Sequence, residues 1–522
     1  MSIVECSGGQ VQGSLEQGIH AFKGIPYAEP VGGLARWLPP QPRRPWKGVL
    51  DARRYGPCCM QFAGGPPLPL PRPRYRYIEA ARDPAQSIEA DDCLLLNVWT
   101  PSIDAGARLP VMVWIHGGGF ASGAAAGMYD ASRFAAKGVV AVVIQYRLGA
   151  AGFLHGSGLF DGEVCADNRA FLDQICALQW VRDNIASFGG DPARVTIFGE
   201  SAGAFAVFQL VASPLARGLF RRAIGMGGMA GTWAPAADYH RLTRDALGQA
   251  GLKPGDAATL ASLDRPGLER LQASVRKLAF GAADPERYGQ ISRTCAPFFG
   301  AASGTALLPA PPLQCYRQGT PNDIDLMLGT CSNDGGLFSL TLPLPRPLNA
   351  RLFSRYLRGL VPDRDMAAAR DFYREHLPGL ARGRVQEQVN NDAFYRMPTL
   401  RAAQAHAAGH PGRTWHYQLD YQSRIPHLGA IHGIDVALLF RNGALNQLLH
   451  ASAQTEALSN AMLDAWTSFA RDGRPAAPAL PEWPPFEAAR RHTMVLDKTS
   501  SLHTDIDGPL RPYWSRLGAD VS

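Results

Sequence analysis

Lysine is scarce in this chain. Only six of its 52 basic residues are lysine; the rest are arginines standing as singlets and pairs, such as Arg43-Arg44, Arg53-Arg54, Arg221-Arg222 and Arg490-Arg491. A net charge of +7 scattered this way forms no basic stripe, so nucleic acid is not an expected partner. The one local cluster, Arg72-Pro73-Arg74-Tyr75-Arg76, reads as a solvated loop. Long apolar runs are missing as well. Stretches such as Val139 to Ile144 fall far below the roughly 20 residues that a membrane-crossing helix needs, and no membrane span is expected. Met1-Ser2-Ile3-Val4-Glu5-Cys6 has neither the basic nor the apolar segment of a secretory leader. The expectation is therefore a cytoplasmic protein. Nine cysteines show no metal-site spacing, and HExxH, CxxC, P-loop and dinucleotide fingerprints are absent where they could act. No metal and no other cofactor is expected, and the cysteines read as small buried residues.

What is present is a globular composition, 46% hydrophobic and 19% charged over 522 residues, enough to bury a sizeable core. Short apolar runs at Leu94 to Trp99, Pro110 to Ile115, Val139 to Gln145 and Val195 to Phe198 read as strands. Between the last two, Phe171, Ile175, Leu178, Val181 and Ile185 recur at helical spacing. Strand, helix, strand in this order implies parallel strands joined by right-handed crossovers. Further strand-like runs lie at Ala223 to Met226, Ile324 to Leu328, Thr414 to Leu419 and Thr493 to Leu496. Segments 234–290 and 345–410 look helical and read as excursions from the sheet. Segment 64–74 is too proline-rich for helix or central strand and reads as a loop bordering a cleft. No repeat and no linker is evident. The expected architecture is one elaborated α/β domain over 1–522, with a mostly parallel central sheet flanked by helices.

The sharpest local signal is Gly199-Glu200-Ser201-Ala202-Gly203, set between the strand Val195 to Phe198 and a helix-compatible run, Ala202 to Val211. Alone the pentapeptide is weak. In that setting it describes a nucleophile elbow, where the chain turns so sharply that the flanking positions cannot carry bulk. The helix that follows aims its first amides at the place where negative charge would develop. His116-Gly117-Gly118-Gly119-Phe120 directly follows another apolar strand, and its glycines let backbone amides face a substrate oxygen. The N–H groups of Gly118, Gly119 and Ala202 are the candidate oxyanion donors. A serine hydroxyl needs a base to take its proton and an acid to orient that base, and in this arrangement the order along the chain is serine, acid, histidine. Downstream histidines stand at 410, 416, 427, 432 and 450. His432, in a loop between Gly429 and Gly433, is favoured, with His427 its competitor. Asp334 is the first carboxylate past the strand ending near Gly329, whereas Asp323 and Asp325 lie before or within it.

Together these blocks resemble the type B carboxylesterase/lipase family, which includes bacterial para-nitrobenzyl esterases, animal carboxylesterases and cholinesterases. The resemblance runs from Phe22-Lys-Gly-Ile-Pro-Tyr-Ala-Glu-Pro30 through Asp91-Asp-Cys-Leu-Leu-Leu-Asn-Val-Trp99, His116 to Phe120, Tyr146-Arg-Leu-Gly149, Leu178 to Ile185 and Phe188 to Gly203. It implies an α/β-hydrolase fold, a small-molecule ester as substrate, and an acyl-enzyme route. By it, Asp334 falls at the triad acid, His432 at the triad histidine and Gly118 and Gly119 at the oxyanion donors. It also implies structural ion pairs of Arg36 with Asp91 and of Arg147 with Asp173. Cys59 and Cys93 match a disulfide of secreted members, and in a reducing compartment they are expected to stay thiols. Trp233 falls near the acyl pocket, and Phe120, Glu200 and Phe338 are further pocket candidates.

Three departures surround the histidine: the acid is Asp334 where glutamate is commoner, Gly227 stands where serine is usual, and Asp435 stands where glutamate is commoner. No tryptophan lies between Cys59 and Cys93 to bind quaternary ammonium as in cholinesterases, which argues against a choline-ester specialist. Two other functions share these motifs. In a biosynthetic acyltransferase or cyclase another nucleophile replaces water, and a non-catalytic binding protein would lose the serine that is present here.

Overall fold

The computed structural model describes residues 2–62, 88–228, 231–281, 284–294, 300–319, 323–340, 345–357, 361 and 363–517. The proline-rich segment 64–74 and the arginines at 72–76 lie outside the described residues. The strands are β1 (Ser2–Cys6), β2 (Gly9–Glu16), β3 (Ile19–Pro26), β4 (Val49–Asp51), β5 (Leu95–Thr100), β6 (Leu109–Ile115), β7 (Val140–Ile144), β8 (Gly190–Glu200), β9 (Arg222–Met226), β10 (Trp233–Pro235), β11 (Ala301–Ser303), β12 (Asp325–Cys331), β13 (Thr414–Leu419), β14 (His492–Leu496) and β15 (Ser501–Thr504).

Thirteen of these form one sheet in the order β1-β2-β3-β5-β7-β6-β8-β9-β12-β13-β14-β15, with β4 beside β2; β10 and β11 pair separately. Neighbours from β7 to β14 run parallel. The β1-β2-β3-β5-β7 wing and the final β14-β15 pair are antiparallel. The fold is thus an α/β-hydrolase fold with a mostly parallel centre.

The central strands β6 and β7 are apolar along their length because both faces are covered. In β6, Val111, Val113 and Ile115 enter one core cluster, while Met112 and Trp114 enter the other. The same alternation recurs in β7, with Val140, Val142 and Ile144 on one side and Ala141 and Val143 on the other. Successive side chains of a strand point to opposite faces, so these strands knit two cores together.

Helix α1 (Arg169–Asn184) covers one face through Phe171, Ile175, Leu178 and Val181, all buried, and a 3-10 turn (Ile185–Phe188) ends at Gly189 with φ 78°. Its buried Asp173 accepts from Arg147 Nε at 2.8 Å and Nη2 at 2.6 Å, and Arg147 Nη1 donates to the carbonyls of Arg36 and Leu38. Arg36 pairs with Asp91 at 3.3 Å. Both ion pairs implied by the resemblance are present. The helical segments 234–290 and 345–410 contain the helices Ala236–Gln249, Arg265–Gly281, Arg346–Tyr356, Asp363–His376, Val385–Asn391 and Met397–Gly409. No helix among the described residues is long and apolar enough to cross a membrane.

Candidate active site

In a parallel sheet the crevice for a ligand lies beyond the carboxyl ends of the strands. Five adjacent strands, β6, β8, β9, β12 and β13, each deliver a candidate residue or loop there. Ser201 follows β8 directly and opens α2 (Ala202–Ala212). Its backbone, φ 57° and ψ −125°, lies in a region that a side chain occupies only at a cost of about 1–3 kcal/mol, held by its surroundings. Its N–H donates to the Met226 carbonyl of β9 at 3.0 Å, and its carbonyl accepts from Phe205 at 2.9 Å. The flanking glycines explain why the turn closes. A β-carbon on Gly203 would lie 1.9 Å from the Ile115 carbonyl oxygen, and one on Gly199 would lie 2.6 Å from the Gly203 backbone.

The loop after β6 crosses this turn. A β-carbon on Gly117 would come within 3.0 Å of both Ser201 Cβ and Glu200 Oε2. Gly118 and Gly119 take φ of 111° and 63° and are exposed. Among the described residues their N–H groups, like that of Ala202, donate to no backbone carbonyl. The first amides of a helix have no partner within it, so the Ala202 N–H is available to an incoming oxygen. His116 is the loop's brace: Nδ1 lies 2.9 Å from the Gly117 carbonyl, and the ring stacks on Tyr146 at 4.4 Å. Burial holds its pKa down, to about 4, so it stays neutral.

His432 and Asp334 meet. His432 Nδ1 donates to Asp334 Oδ1 at 2.7 Å, and Asp334 Oδ2 accepts the Cys331 N–H at 2.7 Å. Both side chains are buried. The two loops that carry them are tied together: Asn333 donates its N–H to the Ala430 carbonyl at 3.1 Å and its side-chain amide to the Leu428 carbonyl at 2.7 Å. His432 Nε2 lies 3.1 Å from Glu200 Oε1, yet neither atom makes a hydrogen bond among the described residues. His427, the competitor, is an exposed residue whose carbonyl accepts from Arg384 and Arg346.

The electrostatics follow from three carboxylates packed around one imidazole. Burial opposes charge on His432, but Glu200, Asp334 and Asp435 together outweigh it and raise its pKa well above the ordinary imidazole value. Burial pushes Glu200 up, opposed by His432 and reinforced by Asp334. Asp435 is raised further, by burial and by the charges of Glu200 and Asp334. One proton is therefore readily held within this cluster.

The remaining candidates are more dispersed. Phe120 closes the oxyanion loop with φ 59°, and its ring is wholly inside the core, 4.5 Å from Phe153 and 5.9 Å from Phe171. Trp233 is buried on the small β10-β11 sheet, opposite Ala301. Phe338 belongs to the 3-10 segment Asp334–Leu340, and its side chain lies outside the described residues. Cys59 and Cys93 are free buried thiols, with Cys59 Sγ donating to the Cys93 carbonyl at 3.5 Å. Two neighbours escaped sequence reasoning. Tyr395, in a π-helical turn (Asp392–Arg396), places its ring 5.0 Å from that of His432. Asn391 accepts the Gly335 N–H beside the acid at 2.9 Å. Nothing in their local sequence marks them, because their contacts are tertiary; a π-turn inside a helix is nevertheless a common feature of functional sites.

A strained serine between a strand and a helix, under a glycine loop, with a carboxylate-bound histidine against the residue before it, matches the architecture of a serine hydrolase on the α/β-hydrolase fold. The sequence model of the carboxylesterase family matches residues 1–508, and the chain belongs to that family. It is 33% identical over 518 residues to the para-nitrobenzyl esterase of Bacillus subtilis, covering 98% of this chain and 97% of that one. It is 30% identical to the phenmedipham hydrolase of Pseudarthrobacter oxydans over 97% of both chains. It is also 31% identical to the human cocaine esterase, over 93% of this chain and 86% of the relative. Among solved structures, a Geobacillus stearothermophilus carboxylesterase superposes with a TM-score of 0.82 at 31% identity, covering 98% of this chain and all of that one. The protein is a serine carboxylic-ester hydrolase.

Proposed function

We propose that Ser201 is the nucleophile, His432 the general base and acid, Asp334 the residue that orients the imidazole, and that Gly118, Gly119 and Ala202 bind the oxyanion. His432 Nε2 takes the hydroxyl proton as Ser201 Oγ attacks the ester carbonyl. The tetrahedral oxyanion is stabilised by the three amides, and its collapse releases the alcohol, which leaves with the proton from Nε2. Water then repeats the sequence: His432 Nε2 takes its proton, the acyl–serine bond breaks as that proton returns to Ser201 Oγ, and the carboxylic acid departs. Asp334 keeps the proton of the resting imidazole on Nδ1, so that Nε2 presents its lone pair.

The observation that carries this reading is the 2.7 Å bond from His432 Nδ1 to Asp334, with Nε2 left free of hydrogen bonds beside the residue preceding Ser201. The substrates in this reading are small carboxylic esters with short or aromatic acyl groups, and Trp233 and Phe338 belong to the acyl side. Para-nitrobenzyl and para-nitrophenyl esters are natural probes, given the relative named for such a substrate. The reading extends to one elaborated domain, supported by a sheet that takes strands from Ser2 to Thr504. It also extends to a cytoplasmic setting, in which Cys59 and Cys93 would keep their free thiols.

A panel of para-nitrophenyl esters of increasing acyl length, run with and without an added alcohol or amine, tests this function. Release of free acid at a rate indifferent to the acceptor is expected. Acyl product that forms only on the acceptor would make the protein a transferase.

A further inference from the structure

His432 is walled by more than its two hydrogen-bonding neighbours. A β-carbon built on Gly227 would sit 3.1 Å from Asp334 Oδ1 and 3.2 Å from both Cε1 and Nδ1 of His432. All three nearest atoms belong to the acid–imidazole pair. Gly227 also takes φ +56°, where any side chain is strained. Nor can it back away easily. Its N–H donates to the Gly329 carbonyl of β12 at 2.9 Å, and the preceding carbonyl, that of Met226, holds the Ser201 N–H at 3.0 Å. The bare Cα of Gly227 is a wall fixed between the nucleophile turn and the acid strand.

Asp334 makes that wall matter. Its carboxylate stands one carbon–carbon bond, about 1.5 Å, closer to the backbone than a glutamate's would. Oδ2 is already committed to the Cys331 N–H, so the carboxylate cannot slide outward. The bond to Nδ1 therefore closes only when the imidazole comes in against residue 227. We propose that Gly227 and Asp334 form one positioning unit: the absent side chain at 227 makes the space in which a short carboxylate reaches and aligns His432. This rests on the triad reading above. A side chain at 227 displaces the pair, while a longer acid lets the imidazole withdraw and makes room for that side chain. The two substitutions should therefore compensate.

The test uses the full chain with para-nitrophenyl butyrate and the variants Gly227→Ser, Gly227→Ala, Asp334→Glu and Gly227→Ser/Asp334→Glu. Each is checked by thermal melting and by the pH profile of kcat/KM. Gly227→Ser should lower kcat by about tenfold or more, a loss of roughly 1.4 kcal/mol in transition-state stabilisation, with KM little changed. Its acid limb should move to lower pH, because a loosened Asp334 contact no longer holds the imidazole proton as firmly. The double variant should lose distinctly less than the product of its parents' losses. Wild-type kcat and limb in Gly227→Ser, or losses that simply multiply, would overturn the proposal. If Gly227→Ser does not fold, Gly227→Ala adds the β-carbon alone and is read by its own kcat and limb against the same criteria. Asp334→Ala and His432→Ala are run alongside. Activity retained in those would remove the triad reading itself, whereas their collapse with unaffected Gly227 variants would remove only this inference.

Discussion

Arg147 with Asp173, and His432 with Asp334 and Glu200, are two groups of buried charge on the same sheet. In the first, every nitrogen of the guanidinium has a partner: two bonds reach the carboxylate and Nη1 reaches backbone carbonyls. In the second, His432 Nε2, Glu200 Oε1 and Asp435 Oδ2 are buried without a hydrogen bond among the described residues. A buried polar atom left without a hydrogen bond costs about 1–3 kcal/mol, which the 3.1 Å ion pair of His432 Nε2 with Glu200 Oε1 offsets in part. Glu200, which carries one of these atoms, directly precedes Ser201. The guanidinium is held through all of its nitrogens, whereas the imidazole keeps Nε2 without a hydrogen bond.

The comparison can be broken at several points. The largest effect is expected from Ser201→Ala, which should reduce turnover on the order of 10⁴–10⁶-fold if the triad works as a unit, without lowering the melting temperature. Initial rates and a melt check both halves. Arg147→Ala should do the reverse. It leaves Asp173 buried and uncompensated, costing about 3–5 kcal/mol of folding stability, while kcat per folded molecule stays near wild type; denaturant titration with active-site counting separates the two. Glu200→Gln is smaller again and shifts pH dependence. His432 must be unprotonated at Nε2 to act as base, so activity falls as pH drops through its raised pKa. Removing the Glu200 charge takes away the carboxylate that opposes burial most strongly, with Asp334 and Asp435 still in place, and the acid limb of kcat/KM should move down, by on the order of one pH unit. A limb that stays put would detach Glu200 from the histidine. Last, Asp91→Asn at the half-exposed Arg36 pair should cost less than about 1 kcal/mol, measured by the same denaturant titration.

The parts of the molecule that were legible in the sequence are those where one physical demand dominates. β6, β7 and β8 read as apolar runs because both faces are buried, and α1 reads from the period of Phe171, Ile175, Leu178 and Val181. In the antiparallel wing β5 and β7 read as strands, but β1 to β4 do not, although the turns there carry a signal. Ser7-Gly8 and Gln17-Gly18 are two-residue hairpin connections between β1 and β2 and between β2 and β3, the latter with φ of 50° and 81°. At the site, Ser201 and the glycine loop are local motifs and could be placed from composition and order. Asp334 and His432 lie 98 residues apart, and spacing alone left His427 in contention; the resemblance, not periodicity, separated them. Tyr395 and the contact of Gly227 with the acid–imidazole pair exist only in three dimensions.

Above all, Ser201 should be the residue that attacks the ester. A para-nitrophenyl phosphonate, which leaves a stable covalent adduct on an activated serine, tests it by peptide mapping in the mass spectrometer. One adduct per chain on the peptide holding Ser201, lost in Ser201→Ala and greatly slowed in His432→Ala, is the predicted result. Labelling at another residue, or undiminished labelling in Ser201→Ala, would contradict it.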